Sequence, residues 1–367
     1  MAFFSKLFKT KPEQPRTREE MENSLSVQYK ENYTVKMTNG TLTRAFNKTR
    51  PPKEDEKKLL KETFDLIASV PQGKKLLDEV AKGGYEFYFE TARGHLNGSM
   101  TGATKKIMLC PANFSHASCL ATTAFHEMTH ALQNEQTNQL LANSYQLNAA
   151  DQFKFRRAAE AAAWTEEAKF AYQLKEAHPE VEPHVKKFPM YNAFAEEMEK
   201  SGDISKAGEA AFKSWYGFKH YQTSYEEAHL SGLTYTVPKM HSEGNRKILS
   251  RSISSEEILD RVFLSDDVKK NIQPDFLTSK EAFSISPKTA QKADLIAQRY
   301  TSGKHKDLSI RNMYSYETGK KFAEPQNKET LDSRAQPSIM SSLTKINKDA
   351  QAQQAVKSKM TNLTAQH

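Results

Sequence analysis

The chain is short of cysteine, of long apolar runs and of hydrophobic residues in general. Two cysteines in 367 residues exclude a disulfide-stapled scaffold, and Cys110 and Cys119 are expected to be buried thiols. No stretch comes near about 18 consecutive apolar residues, so no membrane-spanning helix is expected. A 37% hydrophobic content and a mean hydropathy of -0.74 are low for packing throughout, so part of the length is expected to be loose. The sequence has no internal repeat and no nucleic-acid-binding motif. Its net charge of +8 comes from Lys and Arg spread through the ends and mixed with Glu, which reads as solvation and not as a nucleic-acid partner.

What is present is concentrated in one stretch. TAFHEMTHAL, residues 123–132, contains HExxH at His126, Glu127 and His130. On a helix, residues four apart stand one turn above each other, so the two imidazoles can share one metal ion. Glu127 is rotated roughly 100° from His126, where a carboxylate can take a proton from an attacking water. From Leu120 to Ala131 every other residue is uncharged, in a chain that is 27% charged. A nearby cation would repel the metal, so this quiet stretch favours a buried site over a helix with two incidental histidines. Phe125, Met128 and Leu132 supply a packing face, and Ser115 or Ser118 can cap the helix start.

Ahead of this helix, YEFYFE (85–90) and KKIMLC (105–110) read as strands, the second stopped by Pro111. A small sheet leading into an HExxH helix is the N-terminal half of a zincin-like arrangement, in which an edge strand lines the substrate cleft. A catalytic zinc site needs a third protein ligand. Gln133 and Gln136 stand where HExxHxxGxxH has glycine and histidine, which rules out the metzincin form. The third ligand is expected at Glu160, set among Ala158, Ala159, Ala161, Ala162 and Ala163, where two helices can approach closely. Glu166 and Glu167 are rivals on the same helix. Glu167 lies about two turns on, along a similar face, but TEEAKF looks like a solvated pattern.

These residues carry a resemblance. HEMTHALQ, RRAAEAAAW and AGEAAFKSWYGFKHYQTSYEEA resemble a bacterial metallopeptidase-type family of unknown function, similar to the gluzincin branch of the HExxH zincins. That family shows an HExxH helix, a later helix with Glu followed by small residues, and an Ala-Phe-x-x-Trp-aromatic segment before a Tyr. The last falls here on Ala211, Phe212, Trp215, Tyr216 and Tyr221. The resemblance covers about residues 55 to 235 and implies a zincin-like fold and a metal.

The fold class expected is α+β and predominantly helical: a zincin-like core with a small β-sheet before the HExxH helix, extra C-terminal helices and flexible tails. Residues 1–52 are read as a flexible N-terminal region and 53–240 as the metallopeptidase-like domain. Residues 241–300 read as a helical extension, either a small subdomain or packing for the core. Residues 301–367 read as a polar tail. The chemistry expected is peptide hydrolysis with Zn2+ held by His126, His130 and Glu160 and with Glu127 as general base, acting on a peptide or protein. Tyr221 is the first choice for the oxyanion donor, with Tyr216, Tyr225, His220 and His229 also on the closing segment. The alternative is a non-catalytic metal-binding scaffold or interaction protein. MAFFSKLFKTK is too short in apolar residues for a secretory signal, so the chain is expected to be cytoplasmic or exported without one, as a bacterial effector.

Overall fold

A computed structural model describes residues 16–37, 40–91, 96–137, 140, 143–301 and 306–322; the side chains of 31–46 are outside this description. The order begins α1 (Arg18–Asn23), β1 (Ser26–Met37), β2 (Gly40–Arg50), α2 (Glu54–Ala68), α3 (Pro71–Lys82), β3 (Glu86–Glu90), β4 (Gly98–Thr101) and β5 (Lys106–Leu109). The strands form one mixed sheet in the order β2-β1-β3-β5-β4. Parallel pairs join β1 to β3 and β3 to β5, while β4 runs antiparallel to β5 and ends the sheet. YEFYFE and KKIMLC contain β3 and β5, the first read from its alternation and the second as a short apolar run, with Phe87 and Phe89 turned into the core. The edge strand itself is β4, a short polar GSMT segment with no hydrophobic alternation to mark it.

Of the segment up to Pro52, expected to be flexible, residues 1–15 lie outside the described residues and the rest holds α1, β1 and β2. Thr17 caps α1 in a reciprocal box with Glu20. β1 and β2 pair from Val27 with Arg50 to Met37 with Gly40. The sequence signal for this hairpin is the dipeptide Asn39-Gly40 between two runs rich in Val, Tyr and Thr, and the charges and prolines around them obscure it.

Then follow α4 (Ala117–Gln136), α5 (Ala149–Leu174), α6 (Glu182–Val185), α7 (Pro189–Ser201), α8 (Ile204–Gly217) and α9 (Lys219–Ser242). In α4, 15 of 20 residues are buried, so this helix is central and not amphipathic. It packs against the sheet, α2, α3 and α5. His116 precedes it and no side chain caps its first turn; Ser118 is inside the helix, and Ser115 does not serve as cap. Asn148 caps α5 by accepting from the Asp151 N–H. The alanines of α5 at 158, 159, 161, 162 and 163 are all buried, which lets α4 and α5 pack closely, and Phe125 stacks on Phe170 with centroids 4.4 Å apart.

The chain continues with α10 (Ser255–Val262), α11 (Asp266–Lys269), β6 (Ser284–Ile285), α12 (Pro287–Tyr300) and β7 (Tyr314–Ser315). Residues 241–300 pack onto the core: Gln133 of α4 donates to Val262 O, and Arg157 of α5 donates to Ser284 O. Part of the polar tail expected from residue 301 belongs to the fold. Ile310 and Met313 are buried in a second apolar cluster with Phe153, Val237 and Ile285, and β7 pairs with β6. Residues 323–367, the remainder of that expected tail, lie outside the described residues. Cys110 and Cys119 are buried and not joined by a disulfide. Among the described residues no helix is long and apolar enough to cross a membrane.

Candidate metal centre

Helix α4 sets two imidazoles one turn apart, and α5 brings a carboxylate to them. His126 Nε2 and His130 Nε2 are 3.1 Å apart, their rings nearly perpendicular. Glu160 Oε2 lies 3.3 Å from His130 Nε2 and 3.8 Å from His126 Nε2. One ligand atom from each of the three falls within a 4.8 Å span.

The outer nitrogens decide the protonation of the pair. His126 Nδ1 lies 3.1 Å from Glu167 Oε2, and His130 Nδ1 lies 2.8 Å from Gln133 Oε1. Both partners accept, so each ring carries its proton on Nδ1 and turns the Nε2 lone pair inward. Two lone pairs then face a carboxylate oxygen that is itself buried without a hydrogen-bond partner. With both rings neutral, these lone pairs and the carboxylate repel one another and call for a positive charge among them, a proton or a metal ion; two imidazole nitrogens and a carboxylate oxygen are a donor set that fits a metal. Without a cation, burial opposes charge on His126, but Glu160 and Glu167 outweigh it and draw its pKa up to about 10. Burial would raise Glu160, yet the two imidazoles hold it well below the usual carboxylate range.

Glu127 stands beside this cluster and against the edge strand β4. It is 8% exposed, and burial raises its carboxyl above the ordinary range against the pull of His126 and His130. Its neighbour is Gly98 of β4: a Cβ there would stand 2.8 Å from Glu127 Cγ and 3.1 Å from Oε1. Only glycine lets the edge strand come this close to the carboxylate.

A family model described as "Putative metallopeptidase family (DUF6782)" matches residues 38–262, well over half of the chain. The chain belongs to that family. The matched span includes every residue of the centre, so the metallopeptidase family and the three-residue cluster point to the same place. No curated protein and no solved structure shows significant similarity to the chain.

Within this metallopeptidase-family domain, the sequence-derived residues separate into groups. His126, His130 and Glu160 come together, with Glu127 beside them. Glu167 reaches the centre through His126 Nδ1, on the face anticipated for it. Glu166 is buried, accepting from the N–H groups of Leu264 and Ser265. TEEAKF is therefore an interior segment and not a solvated one, with Lys169 paired to Asp267. Gln133, which served only to exclude a motif, is the fully buried acceptor for His130; its spacing of three from that histidine was the available signal.

On α9, Tyr221 packs its ring on Trp164 at 5.6 Å and on Phe218 at 5.1 Å, and burial raises its pKa to about 12. Tyr225, one turn later, packs beside Tyr221 and His229, and burial, with Glu160 nearby, raises its pKa further. His229 is buried beside Tyr225 with Nδ1 lacking a partner, and burial, with Arg156 and Arg157 nearby, holds it neutral. Tyr216 belongs to the core among Phe212, Trp215 and Phe276, and His220 is exposed.

Proposed function

We propose that the protein is a zinc-dependent metallopeptidase that hydrolyses peptide bonds. The observation that carries this is the inward-facing His126, His130 and Glu160, each histidine held at Nδ1, with Glu127 set against the edge strand. Two imidazole nitrogens and one carboxylate oxygen suit zinc and leave a position open. When bound, the ion supplies Lewis acidity, which eases deprotonation of a water and polarises the scissile carbonyl.

The chain's own groups do the rest. Glu127 accepts the proton of the attacking water and passes it to the leaving amine. β4 ends the sheet, so an extended peptide can add to its outer edge by main-chain hydrogen bonds and pass Glu127. A tyrosine of α9 donates to the developing oxyanion. Tyr221, or Tyr225 one turn on, where Glu160 acts on the hydroxyl, is the candidate.

The alternative, a scaffold with a structural metal, needs both histidines but has no use for Glu127. Glu127→Gln separates the two. The zinc content is expected to stay near one per chain while peptide cleavage falls about 10²-fold or more. A wild type that keeps zinc and cleaves no peptide would favour the scaffold, or an amide substrate of another kind.

A further inference from the structure

Next to the metal centre stands a wall of partly exposed aromatic rings that the hydrolytic chemistry does not use. Trp164 lies one turn after Glu160 on α5, with its ring 4.9 Å from that of His126. Phe188, at the start of α7, stands 4.8 Å to one side, and Tyr221 of α9 stands 5.6 Å to the other. The run extends from Phe188 through His184 to Phe114, at 5.6 Å and 5.5 Å, and from Tyr221 to Phe218, which is 40% exposed. Four separate segments of chain supply these rings, and none of the six is fully buried.

The wall carries no net charge at neutral pH. Burial keeps His184 below its ordinary pKa. A shallow pocket between Trp164 and Phe188 is floored by Ala168, Ala171 and Val185. Its one carboxylate, Glu167, is committed to His126. Trp164 Nε1, His184 Nε2 and the Tyr191 hydroxyl, which also lines the pocket, are buried without partners and carry no charge; a charged side chain would give up its hydration for these alone, whereas a ring or branched aliphatic group meets aromatic faces and edges at ordinary packing distance.

We propose that this wall is the side-chain-selecting subsite and takes a large apolar or aromatic residue adjoining the scissile bond. The inference rests on the peptidase reading, because continuity with His126 and Glu160 is what places a substrate side chain against Trp164.

The test uses the full zinc-loaded chain and two probes that reach the metal through the same group. Phenylalanine hydroxamate and alanine hydroxamate differ only in carrying a benzyl or a methyl side chain. By calorimetry the benzyl compound is expected to bind about tenfold tighter or better. Phe188→Ala is expected to narrow that difference at unchanged zinc content. In parallel, peptides varied only beside the cleaved bond are expected to be cut next to Phe or Leu well ahead of Ala, Lys or Asp. Equal affinity of the two hydroxamates overturns the subsite, and so does an equal loss for both in Phe188→Ala. Cleavage without side-chain preference overturns the subsite alone. A benzyl preference with no peptide cleaved supports the subsite and overturns peptide hydrolysis.

Discussion

The two histidines are held by different acceptors, a carboxylate at His126 and an amide at His130, and their loss should be felt differently. Glu167→Ala frees the His126 ring and removes a negative charge near the ion, so metal affinity is expected to fall about 10- to 100-fold in a competition titration with a chelator. Gln133 also donates to Ala159 O and Val262 O. Gln133→Ala therefore removes the side-chain donor to the Val262 carbonyl at the end of α10, at roughly 1–3 kcal/mol, and a second donor to Ala159 O, whose helix bond remains. It is expected to lower the thermal midpoint as well as the affinity, whereas Glu167→Ala acts mainly on the metal. The ligands themselves were legible because HExxH and an alanine-lined glutamate are local patterns. Glu167 was legible as a face and not as a role, since only the packing of α5 on α4 shows which atom it meets.

At the level of elements, the distance between β4 and α4 governs the cleft. Gly98→Ala is expected to keep zinc and lose cleavage by about tenfold or more, because the added methyl must push aside either Glu127 or the strand a peptide would join. Peptide kinetics beside metal analysis check this; unchanged kinetics would mean that the strand has room to spare. The helices α4 and α5 could be read from the sequence because their periodic and alanine-rich stretches are long. β4 could not, being four residues with no apolar alternation. The β1–β2 hairpin was hidden by its charges, although its turn signal was present. Glu166 and Lys169 looked solvated because a helix pattern does not reveal that residues 264–267 will fold over it.

Across the whole molecule, α5 ties the centre to the C-terminal part of the described chain. Arg157, three residues before Glu160, is buried and donates to Ser284 O, Tyr316 Oη and Glu226. Metal binding and global stability should therefore be linked. At a free zinc concentration of about 100 times Kd, the folded state gains roughly 2.7 kcal/mol. Chelator treatment is expected to lower the thermal midpoint by several degrees, and returning zinc to restore it; a midpoint indifferent to both would separate the centre from the fold. The mostly helical α+β class and the order of sheet, HExxH helix and glutamate helix were visible in advance. The attachment of residues 306–322 was not, since Ile310 and Met313 are isolated apolar residues in a polar stretch whose partners lie far off in the chain.

The central claim is that three side chains from two helices form one metal centre. Zinc content of the wild type beside Glu160→Ala, both purified without chelator, tests it most directly. About one zinc per chain in the wild type and a large loss in Glu160→Ala, with the fold retained, is the expected result. A wild type without metal, or a Glu160→Ala protein that binds zinc as the wild type does, would contradict it.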